Sequence, residues 1–320
     1  MRIRFLAVAA FVCLWLVPAT ASATHVQCGD VLTAQTVLDS DLDCAAPATV
    51  GLVIGGNDFT VWLNGHTIQG PGVDVAGSDG VADDGTERSG VTIRGGTITG
   101  FEDGVDLDVT GSATKGLTVS AGGVGVAMRG DGNTLFNNTV DMTNDAGVTG
   151  FSGIESTGAN AYVWGNTVNG SGATGPDDGI VVHGDNPVMI ANTVTGCGFD
   201  GLIATTYTSG LVALNNVTGC DIGIAPSGSG LKLQSNTASG NCIGIFVDDP
   251  SALVRWNTAN DNCTEGIVIG QAGASLKKNT ANGNVDIGID AVLGTIDLGG
   301  NTATGNATDC LGVVCTPPAP

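Results

Sequence analysis

One unit recurs along most of this chain and restricts it to a stacked architecture. It reads Asn-Thr-apolar-x-Gly, then a Gly-Ile pair, then an apolar alternation leading to the next Asn. Its first half appears at Asn138, Asn166, Asn192, Asn236, Asn257, Asn279 and Asn301, with variants starting at Asn215, Leu117, Gly96 and His66, eleven units in all. Two arcs within the unit behave differently. From the Gly of the Gly-apolar pair to the next Asn is 13 residues, as in Gly179 to Asn192 and Gly288 to Asn301, and 14 from Gly201 to Asn215. The return arc is 8 or 9 residues in most units, but 15 from Asn138 to Gly153 and 13 from Asn166 to Gly179. The first arc reads as scaffold and the second as the place where loops are accepted.

A unit of about 21 or 22 residues holding two or three short alternating strands cannot bury its inner face alone, so it must stack on its neighbours. No helical period separates the strands, which leaves an all-β parallel solenoid of about eleven coils. The recurrent Asn is expected to take the left-handed conformation and to hydrogen-bond along the stack. Composition agrees with thin layers: 52 of 320 residues are glycine and only 4% are aromatic.

Arg2 and Arg4, the apolar run from Phe5 to Val17, and Ala21-Ser22-Ala23 together read as an export signal, with the mature chain starting at Thr24. The expected organisation is a signal peptide over 1–23, an N-terminal capping segment over 24–56, the β-helix over 57–309 and a C-terminal tail over 310–320. No later stretch reaches the roughly 18 apolar residues of a membrane span, so membrane insertion is not expected. The formal net charge is −21, with all 31 acids and only eight of the ten basic residues after the signal segment. Such a surface repels nucleic acid, which must be neutralised by Lys and Arg, and repels acidic sugars unless a cation intervenes.

Eight cysteines remain after Cys13, an even number that implies disulfides in an exported chain. Cys197 and Cys220 each lie five residues after their unit's Asn position, and Cys242 and Cys263 each lie six after theirs. Rungs about 4.8 Å apart fall inside the disulfide Cα window. The expected pairs are Cys197 with Cys220 and Cys242 with Cys263, while Cys28 with Cys44 and Cys310 with Cys315 close the ends.

Asn64-Gly65-His66-Thr67-Ile68, following Leu52-Val53-Ile54 and Val61-Trp62-Leu63 and followed by the Gly-Ile and Asn-Thr rungs, resembles the right-handed parallel β-helix repeat proteins of the pectin-lyase-like superfamily. The resemblance covers roughly residues 28 to 309. It implies a single-stranded right-handed parallel β-helix and a polysaccharide or cell-surface glycan as partner, since the superfamily includes lyases, hydrolases, epimerases and adhesins. Gly198-Phe199-Asp200 resembles the centre of the Tyr-Gly-Phe-Asp-Pro-His motif of alginate epimerases, with Cys197 in place of the Tyr and Gly201-Leu202 in place of Pro-His. Asp177-Asp178 and His183-Gly184 are similar to elements of polygalacturonases that lie on separate coils there. The arginine signature of pectate lyases is absent.

The two long arcs, Asp141 to Ser152 and Asn169 to Asp178, fall on neighbouring coils and should form a wall beside the adjoining strand face. Counting alternate residues from each Gly places Asp106, Asp108, Arg129, Glu155, Thr157, His183 and Thr205 outward on that face. Asp103, Asp178 and Asp200 directly precede their Gly, the last two on consecutive rungs. Two carboxylates that close either share a proton or bind a cation, so Asp178 and Asp200 are the candidate Ca²⁺ ligands. Asp178, His183, Asp200 and Glu155 are the candidate catalytic residues, with His183 as a base oriented by Glu155 or Asp185. Arg129, Asp177, Asp185 and Tyr207 are expected to contact substrate.

The acidic segment from Asp74 to Glu87 lacks the strict spacing of a calcium loop and reads as solvated. Three functional readings follow: a secreted polysaccharide-binding β-helix, with cleavage or epimerisation of the ligand left open, a non-catalytic structural or adhesive repeat protein, and an ice-binding protein. The third rests on Thr-x-Thr and Thr-x-Ser rungs, interrupted at Gln69, Asp141, Asn169, Asn260 and Asn282.

Overall fold

The computed structural model describes residues 24–44, 49–143, 151–172 and 177–316. The signal segment expected over 1–23 lies outside the described residues. The chain winds right-handed through about twelve turns, and every strand pairing is parallel. Each turn contributes to three faces. The front sheet runs from Asp30–Leu32 through Ser152–Thr157, Asp178–His183 and Asp200–Thr205 to Thr308–Leu311. The second face starts at Thr36–Val37 and Thr60–Trp62 and ends at Ile296–Asp297. The third carries the Asn-Thr units. The extra turn lies inside the segment expected to cap the helix: Leu42 pairs with Ile68 in register, without an Asn-Thr unit of its own. Asp41 stands where later turns have Thr, and it accepts the Thr67 N–H at 2.9 Å.

The interior is a narrow column of branched aliphatic side chains. On the third face the inward residues are Ile68, Ile98, Val119, Val140, Val168, Val194 and Val217, then Ala238, Ala259, Ala281 and Ala303, nearly all fully buried. Where Val gives way to Ala, the third-face strands shrink to single bridges between Thr237, Thr258, Thr280 and Thr302. Outward, the same face shows Thr at every rung from Thr67 to Thr302 except Asn216. The column beside it is hydrogen-bonded to itself, Asn169 donating to Asp141 at 2.7 Å and Thr195 to Asn169 at 3.0 Å.

The recurrent asparagines form a buried amide ladder. Asn215 shows the pattern: its Oδ1 accepts from the N–H and Nδ2 of Asn192 at 2.9 and 3.0 Å, and its Nδ2 donates to Asn236 Oδ1 and the Met189 carbonyl. The ladder runs from Asn138 to Asn301. These asparagines are not the left-handed residues. The residue before each one is: Asn137, Ala191, Leu214, Ser235, Trp256 and Lys278 have φ between 51° and 59°, and Gly165 and Gly300 fill the same position. Placing the tight bend one residue earlier turns the Asn amide inward, where stacking satisfies it. A second ladder, Asn241, Asn262, Asn284 and Asn306, follows in the last turns.

The glycine of the Gly-Ile pair is required by close approach. A Cβ at Gly179 would overlap both the Gly201 carbonyl of the next turn and the Val194 methyl across the core. All four expected disulfides are present, with Cα separations of 5.6 Å for Cys28–Cys44, 4.8 Å for Cys197–Cys220, 4.4 Å for Cys242–Cys263 and 6.0 Å for Cys310–Cys315.

Candidate functional site

The front sheet presents its side chains as columns running along the helix axis. Register pairs Asp108 with Arg129, Arg129 with Thr157, Thr157 with His183, and His183 with Thr205. A parallel column pairs Asp106 with Ala127, Ala127 with Glu155, Glu155 with Val181, and Val181 with Ile203. Between these residues Val105, Leu107, Met128, Ile154, Ile180 and Val182 point into the core. The alternation expected from the sequence therefore holds. Residues 144–150 and 173–176 of the wall expected beside it lie outside the described residues.

Asp178 and Asp200 occupy successive rungs. The Asp200 N–H donates to Asp178 Oδ1 at 3.1 Å, which holds the Asp178 carboxylate against the Asp200 backbone. Burial pushes the Asp200 carboxyl up to about 6, with the Asp178 and Asp221 carboxylates adding to the effect. Among the described residues, one buried Asp200 carboxylate oxygen finds no hydrogen-bond partner. Asp178 is also raised, first by burial and then by Asp177, although the Asp200 N–H and His183 oppose this.

His183 faces Thr205 rather than a carboxylate, its Nδ1 hydrogen-bonded to the Thr205 hydroxyl. Neither expected orienting acid partners it. Glu155 lies in the other outward column, and Asp185 Oδ1 accepts the Thr208 N–H and hydroxyl at 2.8 and 2.9 Å, so it closes a turn instead. Two expected substrate contacts are corrected by burial. Asp177 is 0% exposed and accepts from the Ser171 hydroxyl at 3.2 Å, so it does not face the sheet surface. Tyr207 is 2% exposed, and its phenol is raised by burial and the nearby Asp249 carboxylate. Arg129 does face outward, paired with Asp106 and standing 3.8 Å from Asp108, so a ligand must compete with two acids for it.

Two features of this face escaped the sequence reading. Asp79, assigned there to a solvated loop, sits on the rung beside Asp103. Asp79, Asp103 and Asp106 hold carboxylate oxygens within 4.8 Å of one another, and Asp79 is pushed up to about 6 by burial and by these acids. The signal was legible: Asp79-Gly80 repeats the Asp-Gly pairing of Asp103-Gly104, Asp178-Gly179 and Asp200-Gly201. A shallow groove of about 300 Å³ also continues beyond Asp200, floored by Ile203, Ala225 and Phe246 and bounded by Thr205 and Asp248. Phe246 is the second residue after its Gly, so the same counting rule finds it.

Residues 152–308 match the family model for a right handed beta helix region. The chain is a right-handed parallel β-helix. No curated protein sequence matches it. Among solved structures, this β-helix is similar to the A-module of the Azotobacter vinelandii mannuronan C-5 epimerase AlgE6, at 16% identity and a TM-score of 0.59, covering 90% of this chain and 85% of that one. It is also similar to a point mutant of the periplasmic alginate epimerase AlgG, at 14% identity and a TM-score of 0.60, covering 84% of this chain and 75% of that one. At these identities the β-helix shares a fold with them, and its chemistry must be argued from its own residues.

Proposed function

We propose that this β-helix is an exported protein that binds a polysaccharide along its front sheet and transfers protons at a sugar ring through Asp178, Asp200 and His183. The observation that carries the reading is the stacked pair Asp178 and Asp200, both raised by burial and one rung interval apart, with Asp178 opening the strand that His183 ends and Asp200 opening the next. A carboxyl pushed up to about 6 exchanges its proton near neutral pH, which suits general acid or base work. The groove beyond Asp200 offers Phe246 and Ile203 as an apolar floor for a sugar face. Export accords with four disulfides, which persist in oxidising compartments.

The two similar solved structures are named as alginate and mannuronan epimerases, which makes a uronate polymer the first substrate class to try. A Ca²⁺ ion between Asp178 and Asp200 would let the acidic protein hold such a polymer. Two carboxylates supply only part of the six to eight oxygens that Ca²⁺ takes, so the glycan would have to provide others.

The test is incubation with alginate, pectate and neutral glycans, with and without Ca²⁺, read as unsaturated products, new reducing ends and epimer ratio. Activity on one polymer, abolished by Asp178→Asn, Asp200→Asn or His183→Ala, is the expected result. Activity that survives all three changes would remove the site. Inertness on the whole panel would favour the structural or adhesive reading.

A further inference from the structure

The second face carries a charge pattern opposite to the rest of the molecule. Of the eight basic residues outside the signal segment, Arg94, Lys115, Lys232, Arg255 and Lys277 lie on second-face strands, and Lys278 immediately follows one. Among the described residues none of the six is in an ion pair; the paired arginines, Arg88 and Arg129, are elsewhere. The strands of this face contain a single acid, Asp297, in a chain with 31. In so acidic a protein, scattered cations would meet carboxylates, so their gathering on a face whose strands hold a single acid suits an external anion.

The aromatic residues converge on the same place. One outward column reads Trp62, Arg94, Lys115, Phe136 and Trp164 on five consecutive rungs. Trp62 is 39% and Trp164 41% exposed, with Tyr162 beside them. The Arg94 guanidinium stacks 4.6 Å above the Trp62 ring, and Phe136 and Trp164 have centroids 4.7 Å apart. Stacking uses the flat face of the guanidinium and leaves its N–H edge free for a carboxylate. Two hollows of about 220 and 290 Å³ open along this column, both lined by Trp62 and Arg94.

We infer that the second face is a separate binding platform for an anionic polysaccharide, whose sugar rings stack on Trp62, Phe136 and Trp164 while its carboxylates pair with Arg94 and Lys115. Aromatic rings with no nearby acids suit the apolar faces of sugar rings, and cations on adjacent rungs about 4.8 Å apart suit a polymer charged along its length. A single-stranded nucleic acid shares the stacking and the charge, but its denser phosphates are repelled more strongly by the surrounding surface of net charge −21. This inference requires nothing of the front-sheet residues. Only the class of ligand is shared.

Titration of the protein with hexamers of mannuronate and galacturonate, a neutral hexaose and oligo-dT, followed by tryptophan fluorescence, tests it. The expected result is a saturable change with a uronate hexamer, weakened roughly tenfold between about 50 and 300 mM salt. Arg94→Gln with Lys115→Gln, and separately Trp62→Ala with Trp164→Ala, should each weaken binding roughly tenfold or more at an unchanged melting temperature. Asp178→Asn and His183→Ala should leave it intact. No response to either uronate, equal binding of the neutral sugar, tighter binding of oligo-dT, or indifference to the Arg94 and Lys115 pair would each overturn the inference. If binding falls with Asp178→Asn instead, the polymer lies on the front sheet, and that reading stands while this one fails.

Discussion

The Asp200 N–H donates to the Asp178 carboxylate at 3.1 Å, so the stacking of two turns places one acid directly beside the next. The Asp200 carboxyl is raised from 3.8 to about 6, meaning that the folded state holds this proton more tightly than the unfolded chain does. Its stabilising contribution is complete below about pH 4 and is lost as the pH rises through 6. Asp200→Asn should therefore be more stable than the parent at pH 8, by about 1 kcal/mol after allowing for solvent screening, and equal to it near pH 4. Denaturant melts of both proteins across that range check this. A variant less stable than the parent at pH 8 would show that the carboxylate is well solvated.

The buried Asn215 side chain makes four ladder hydrogen bonds, so Asn215→Ala takes the acceptor from the Asn192 N–H and amide and a donor from the Met189 carbonyl and from Asn236 Oδ1, which keeps the Asn215 N–H. A loss of about 2–4 kcal/mol is expected. The adjacent Leu214, at φ 59° and 61% exposed, should behave oppositely. Leu214→Gly relieves left-handed strain and should be neutral or stabilising by a few tenths of a kcal/mol. Urea midpoints of the two variants distinguish a ladder position from a bend position.

Gly179→Ala forces a methyl against the Gly201 carbonyl and the Val194 side chain. Overpacking of this kind costs about 1–3 kcal/mol, and because Asp178 is the preceding residue, any front-sheet activity should fall with it. Gly172→Ala is the contrast. No described residue lies within 4 Å of a Cβ there, and its φ of 66° opposes the change, so about 1 kcal/mol is expected. Equal melting temperatures for the two variants would show that the front-sheet turn spacing is loose.

Exposure on the third face permits a further check. The column of threonines is regular, but its neighbouring column satisfies its own hydrogen bonds, as between Asn169 and Asp141. Thr139→Val and Thr167→Val on two successive rungs should change stability by less than about 0.5 kcal/mol and leave polysaccharide binding unaltered. Inhibition of ice recrystallisation by the parent, lost in this double variant, would assign that face a function of its own.

Register was legible in the sequence because the repeat is translational. Once Asn192 and Asn215 are known to stack, every residue at a constant offset stacks too, and the disulfides Cys197–Cys220 and Cys242–Cys263 follow from counting. The same counting placed Glu155, His183 and Thr205 on the front sheet. It failed where a residue leaves the strands: Asp177 and Tyr207 sit at turns, where no alternation says which way a side chain points, and both proved buried. It also missed the left-handed bend, since the residues there, such as Ala191, Leu214 and Lys278, share no chemistry, only a backbone angle.

Sequence alone thus determined the stack, its register and the outward columns of the front sheet, because a one-dimensional repeat maps position to place by simple addition. Only the tertiary structure decided which outward residues meet. Asp79 joins Asp103 across 24 residues, His183 takes Thr205 as its partner, and Trp62, Arg94 and Trp164 gather on one face from turns far apart in the chain. Those meetings depend on how the loops lengthen each turn and how bends rotate each strand, quantities set by packing rather than by the order of residues.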